Sequence, residues 1–220
     1  MHTHTVLSRP RSGVAAAAVL ALLIAATPAR AHDIIYYGRA TAALGELTVG
    51  PSDYDLEIAN VGMSCGGVPR EENLSATATP SPLSLNADVV RSFTHGAEHV
   101  SRAETEMRTV LFEVPGLRIS ADGMGAEATA TCEIDESVSI DGHAQLDGLR
   151  INDEIVTITG EPNQTIAIPE VGTVILNKQI RYSREIRVTA AHVTLANAAD
   201  LAYGEIELAK ARAKIKRCKM

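Results

Sequence analysis

Apolar and polar residues alternate in short runs through most of the chain. In "DLEIANV" (Asp55–Val61), Leu56 and Ile58 fall on one face and Asp55 and Glu57 on the other. In "GLRISADGMGAEATATC" (Gly116–Cys132), Leu117, Ile119 and Ala121 share a face. A period of two is the repeat of a strand with one buried and one wet face. "EIVTIT", "TIAI" and "GTVILN" are short β-branched runs suited to a pleated surface. Asp122-Gly123, Asp141-Gly142 and Asp147-Gly148 are hairpin-type dipeptides, since glycine accepts the positive φ of such turns. In "EPNQTIAIPEVGTVILNKQ" (Glu161–Gln179), Pro169 splits two apolar strands, and Asn177-Lys178-Gln179 reads as a polar end that satisfies strand-end backbone groups.

Two stretches carry a competing signal. "AEHVSRAETEMRTVLFEV" places Val100, Ala103, Met107 and Val110 at helical spacing, and "GEIELAKARAKIKR" has its acids early and its bases late, as a helix dipole favours. The second also alternates small or apolar with basic residues at period two, and both are read as strands. "CGGVPREENLSATATPSP" (Cys65–Pro82), rich in Gly, Pro, Ser and Thr, reads as a loop. The pattern predicts an all-β protein: a single antiparallel β-sandwich domain of ten to twelve strands over residues 32–220.

The first 31 residues fall outside that fold. Arg9 and Arg11 precede the thirteen-residue apolar run Val14–Ala26, and Ala29-Arg30-Ala31 matches a signal-peptidase site, so the mature chain is expected to start at His32. The run is short of the roughly 20 residues that span a bilayer. No cysteine stands just after it to carry a lipid, and the C-terminal "KARAKIKRCKM" is too basic to be a membrane anchor. The reading is a secreted protein, extracellular or wall-associated, with no transmembrane anchor in the mature chain.

The net charge of −7 deepens to −10 once this segment, with three of the 20 basic residues and none of the 27 acids, is removed. Nucleic acid and anionic lipid both reward a basic surface and are therefore disfavoured as partners. The basic tail is a local exception. As a strand it would set Lys210, Arg212, Lys214 and Lys216 in one row, a stripe that could meet anionic wall polymers or simply guard a sheet edge against aggregation. The second role is preferred. With no Trp and few other aromatic residues, the core must be Val, Ile, Leu and Ala, and no stacking platform for sugars or bases is available.

Candidate chemistry is sparse. "HGAEH" (His95–His99) matches an inverted zinc-protease pattern, with Glu98 as base, but that chemistry needs the two histidines one helical turn apart, and Gly96 and the flanking strands favour a hairpin tip. A mature N-terminal His32 could form a copper brace with His143 or His192, although the aromatic surface that accompanies such sites is missing. His192 lies in "TAAHVTL", where apolar parity shifts near Ala190-Ala191; either a bulge or a hydrogen-bonded core histidine accounts for it. Asn73 and Asn163 begin glycosylation tripeptides whose use depends on the host. Asp135, Glu136, Asp153 and Glu154 read as a solvated face. No catalytic residue, metal ligand or cofactor is assigned.

"GLRISADGMGAEATATC", "LDGLRINDEIVTITGEPNQTIAIPEVGTVILNKQ", "IRVTAAHVTL" and the closing strand to Cys218 together resemble the choice-of-anchor P family of exported bacterial proteins. The likeness covers Leu117–Cys218 well and Tyr36–Pro115 in outline. Asp153 stands where the family has a hairpin glycine, and Lys178 where it has an acid. The resemblance implies export and a β-rich fold, and it implies no activity. Three cysteines in an exported chain suggest one disulfide and one spare thiol. The resemblance places cysteines at Cys132 and Cys218 and favours that pair, with Cys65–Cys132 as the alternative. The expected function is a non-catalytic envelope or extracellular protein, structural or binding, with wall polymers or surface proteins as partners. The rival is a secreted copper or zinc enzyme using His32 or His95 and His99.

Overall fold

Residues 34–64, 69–78, 83–197 and 202–219 are described by the structure, a computed structural model. They form fourteen strands and no helix. The first seven are β1 (Ile35–Val49), β2 (Ser52–Ile58), β3 (Val61–Ser64), β4 (Arg70–Ala78), β5 (Ser84–Ala97), β6 (Val100–Val114) and β7 (Leu117–Cys132). After them come β8 (Val138–Asp147), β9 (Arg150–Ile151), β10 (Glu154–Ile155), β11 (Gln164–Ile168), β12 (Gly172–Tyr182), β13 (Glu185–Asn197) and β14 (Ala202–Arg217). The count exceeds ten to twelve because β3, β9 and β10 are only four, two and two residues long, too short to show a period.

Two antiparallel sheets of seven strands pack as a single-domain β-sandwich, so the expected fold class holds. Sheet A runs β11-β12-β13-β14-β1-β2, with β3 also on β1; sheet B runs β10-β9-β7-β6-β5-β4, with β8 also on β7. Both stretches with a helical signal are strands, β6 and β14, because each lies in the middle of a sheet where two neighbours satisfy its backbone. The expected Cys65–Pro82 loop instead contains β4, which pairs along β5. Its polar composition suits an edge strand paired on one side only.

Two of the three Asp-Gly dipeptides are not turns. Asp122-Gly123 lies inside β7 and Asp141-Gly142 inside β8, and only Asp147-Gly148 ends a strand, with Gly148 at φ +62°. Gly142 serves close approach: a Cβ there would sit 2.6 Å from Val188 Cγ2 and 2.7 Å from the Glu127 carbonyl oxygen. Pro169 does divide two strands, β11 and β12, as expected.

Small residues let the sheets meet closely. Ala103, Ala126, Ala128 and Ala130 of sheet B and Ala40, Ala191, Ala211 and Ala213 of sheet A are buried. Phe112, Met107, Ile119, Met124, Leu208 and Ile215 fill the larger gaps. Each large side chain so buried stabilises the fold by about 1.5–3 kcal/mol. β14 packs across β6 and β7, β13 across β7 and β8, and β1 across β5 and β6.

Polar ties close the sandwich at its ends. The Ser101 hydroxyl donates to the Tyr37 carbonyl at 2.9 Å, and the His99 amide donates to the Tyr36 hydroxyl at 3.2 Å. The open edge of β8 is met by inward side chains of β12. Asn177 Oδ1 accepts from the Ala144 amide at 3.1 Å, Gln179 Nε2 donates to the Gly142 carbonyl at 3.0 Å, and Arg181 donates to the Ile140 carbonyl at 3.4 Å. Asn177 Nδ2 also donates to the Gly160 carbonyl at 3.0 Å. Asn177 and Gln179 thus satisfy backbone groups, as the sequence suggested, but across the two sheets rather than at their own strand end.

Cys132 and Cys218, 86 positions apart in sequence, form a disulfide with Cα atoms 5.6 Å apart. It joins the end of β7 in sheet B to the residue following β14 in sheet A, so it ties the two sheets together. Cys65 lies outside the described residues. Non-reducing peptide mapping is expected to recover a Cys132–Cys218 peptide, and a Cys65–Cys132 peptide would overturn the pairing. Replacing both partners by serine is expected to lower the unfolding free energy by about 4 kcal/mol on the chain-entropy account. Asn177→Ala strips partners from the Ala144 amide and the Gly160 carbonyl and is expected to cost about 2 kcal/mol in urea unfolding.

Candidate functional site

A line of backbone irregularity crosses sheet A and organises its outer face. Pairing runs Leu176–Ala191 and Lys178–Thr189, Ala191–Leu208 and Thr189–Lys210, Ala43–Leu208 and Thr41–Lys210. Asn177, Ala190, Ala209 and Ala42 are left unpaired in one row across β12, β13, β14 and β1. Asn177 and Ala209 take positive φ there, 48° and 50°. Each strand spends one extra residue at this row, so the register is kept while side-chain parity inverts. The parity shift at Ala190-Ala191 is therefore a bulge, and His192 faces outward on β13.

The row also divides the outer face by charge. On one side stand Glu205 and Glu207 of β14, Glu46 of β1, and Asp55 and Glu57 of β2. On the other stand Lys210, Arg212 and Lys214 of β14, Arg187 of β13, Arg39 of β1 and Lys178 of β12. The cross-strand register sets Arg187, Arg212 and Arg39 side by side, and Glu205, Glu46 and Asp55 side by side. The predicted row Lys210, Arg212, Lys214 and Lys216 does lie on one face of a strand, with intermediate exposure for the first three. Its preferred role as an edge guard is overturned: β14 is paired on both sides, by β1 and β13.

Glu185, 5% exposed, holds the basic half in place. It receives Arg187 Nε at 2.6 Å, Arg212 Nη2 at 3.0 Å and Lys214 Nζ at 3.0 Å. Arg187 in turn lies over the Tyr182 ring, 5.5 Å from its centroid. Arg39 donates to Asn60 Oδ1 at 2.7 Å and lies 3.8 Å from Glu57, while Lys210 pairs with Glu207 across the dividing row. Burial would push the Glu185 carboxyl up, but hydrogen bonds from Arg212, Lys214 and Arg187 outweigh it and bring the pKa down from 4.5 to about 2.

A folded-state value below the unfolded one means that this stabilisation is complete above about pH 4.5 and is lost as pH falls toward 2. It amounts to a few kcal/mol at most. Glu185→Gln is expected to lower the unfolding free energy by about 2 kcal/mol at neutral pH. The same substitution should flatten the acid loss between pH 4.5 and 2, which urea titrations at both ends would show.

His192 is 4% exposed. Its Nε2 lies 3.3 Å from the Thr194 hydroxyl, and its Nδ1 has no hydrogen-bond partner among the described residues, where Glu207 Oε1 lies 4.0 Å away. Burial first, then the charge of Lys178, lowers its pKa against the pull of Glu205 and Glu207, so the ring is neutral in the folded protein near pH 7.

The other sequence candidates are dispersed. His95 lies in β5, and Glu98 and His99 form the β5–β6 turn at positive φ, 47° and 73°, so "HGAEH" is a hairpin tip without the helix that zinc-protease geometry needs. His143 sits on the outer face of sheet B, opposite Glu127, in the wall of a shallow trough of about 430 Å³ floored by Gly123 and Gly125. His143 and His192 thus stand on opposite sheets, and His32 lies outside the described residues. Asp135, Glu136, Asp153 and Glu154 are exposed, Asp153 pairing with Arg118 at 3.0 Å. Among the described residues, no three His, Cys, Asp or Glu side chains are arranged to hold a metal ion.

The acidic half of sheet A escaped the sequence reading. Its signal was present in "DYDLE" (Asp53–Glu57) and "GEIEL" (Gly204–Leu208), which alternate acids as "AKARAK" alternates bases. Comparison with protein-family profiles, with curated proteins and with solved structures returns no significant match.

Proposed function

We propose that this is a non-catalytic binding or structural β-sandwich that acts outside the cell through the outer face of sheet A. The observation that carries the reading is the sorting of charge on that face. Cations and carboxylates project from one broad surface on opposite sides of the bulge row, and Glu185 holds three of the cations in fixed positions. Long cationic side chains held this way lose less entropy on binding than free ones. A broad, flat, charged surface suits a macromolecular partner better than a small substrate, which calls for a concave and largely apolar site.

Export is supported by the basic start, apolar run and Ala29-Arg30-Ala31 site, and by the resemblance to the choice-of-anchor P family. An inter-sheet disulfide suits an oxidising compartment. Elemental analysis of the purified exported protein is expected to show copper and zinc well below one equivalent. A stoichiometric amount of either would overturn the non-catalytic reading in favour of a metal-dependent enzyme.

A further inference from the structure

We propose that the outer face of sheet A is where two copies of this chain meet, antiparallel and face to face, about a two-fold axis lying along the bulge row. The inference rests on that face being the working surface and names its occupant.

The charge pattern selects the symmetry. A two-fold axis in the interface and across the strands keeps each strand over its own counterpart and reverses position along it. The cations of β14 and β1 in each copy then cover the carboxylates of the same two strands in the other. On β14, Lys210 and Arg212 stand one and two outward positions beyond the row, and Glu207 and Glu205 stand one and two before it. Rotation therefore sets Lys210 over Glu207 and Arg212 over Glu205. On β1 it sets Arg39 over Glu46, since these occupy the same rows as Arg212 and Glu205. An axis along the strands would instead oppose like charges, which costs several kcal/mol.

Three further observations fit this occupant. Ile180, Tyr182 and Tyr203 are three of the five large apolar side chains exposed among the described residues, and all three lie on this face. Tyr203 would cover Lys214, a cation–π arrangement. Glu46, which the rotation sets under Arg39, has no ion-pair partner among the described residues, so the chain itself leaves its charge uncompensated. Across five strands about 4.8 Å apart and seven rows about 6.8 Å apart the face measures roughly 800 Å² per copy. A specific dimer needs about 800 Å² per partner. A polyanion fits less well: it would use the basic half alone, within about one Debye length of the acidic half, on a chain of net charge −7.

Sedimentation equilibrium of the purified protein is expected to give twice the chain mass at low salt and a shift toward monomer as salt rises. Arg39→Glu and Glu46→Arg are each expected to weaken the dimer about tenfold or more. Combining them restores it, since each reversed charge then faces the other's. Glu205→Lys, on a side chain 69% exposed, is a second single variant expected to dissociate the dimer without loss of fold. Unchanged thermal unfolding of the dissociated variants separates lost association from lost folding. A monomeric wild type, or a double variant no tighter than the singles, overturns the dimer. If the monomer binds a polyphosphate chain and Arg39→Glu abolishes that, the dimer is wrong while the face remains a binding surface. If charge reversals alter neither association nor polyphosphate binding, both the dimer and the proposed working surface fall.

Discussion

The bulge row across sheet A is the constraint on which the rest of the molecule depends. Four neighbouring strands each accommodate one extra residue at the same level, so the ladder stays in register while every side chain beyond the row changes sides. Had one strand alone carried the bulge, its hydrophobic set would have turned to solvent against correctly facing neighbours. The inserted residues are Ala42, Ala190, Ala209 and Asn177, three of them small enough to lie doubled on the inner face beside Ala43, Ala191 and Leu208. The core therefore remains continuous across an irregularity that divides the outer face into an acidic and a basic half.

The alanine-rich interior follows from the same requirement. Two sheets that each bring small side chains to the interface pack closely, and close packing is what makes Gly142 obligatory beside Val188. It also brings the β8 edge within reach of the Asn177, Gln179 and Arg181 side chains. That edge would otherwise expose unpaired amides and carbonyls to other chains. Side chains of the opposite sheet supply the missing partners, so the sandwich is closed by polar contacts at this corner and by the disulfide where β7 and β14 end.

Electrostatics on the outer face are arranged around two buried groups with opposite demands. Glu185 is stabilised as an anion because three cations converge on it, and it orders those cations in return. His192 is held neutral by burial and the nearby Lys178, although Glu205 and Glu207 lie close. Acid therefore works against the folded state at both positions. The neutral histidine loses ground as pH falls below its ordinary value near 6.5, and the carboxylate network follows at lower pH.

Strand identity, antiparallel class and the two-sided character of most strands were legible in the sequence alone, because alternation over ten or more residues is a local property of the chain. β14 read correctly even though it carries a helix-like charge gradient, since period two dominates its apolar positions. What lay beyond the sequence was set by distance in space. Asp122-Gly123 and Asp141-Gly142 look like turns because turn chemistry is local, yet sheet pairing on both sides of Asp122 and the approach of β13 to Gly142 decide otherwise. The bulge was visible at Ala190-Ala191 as a parity shift in one strand, but its alignment with Ala42, Ala209 and Asn177 depends on which strands are neighbours. The central place of β14, the meeting of Arg39 with Arg212, and the convergence of Arg187, Arg212 and Lys214 on Glu185 were likewise decided by tertiary structure. Pairing register joins residues far apart in sequence, and alternation within one strand carries no record of its neighbour.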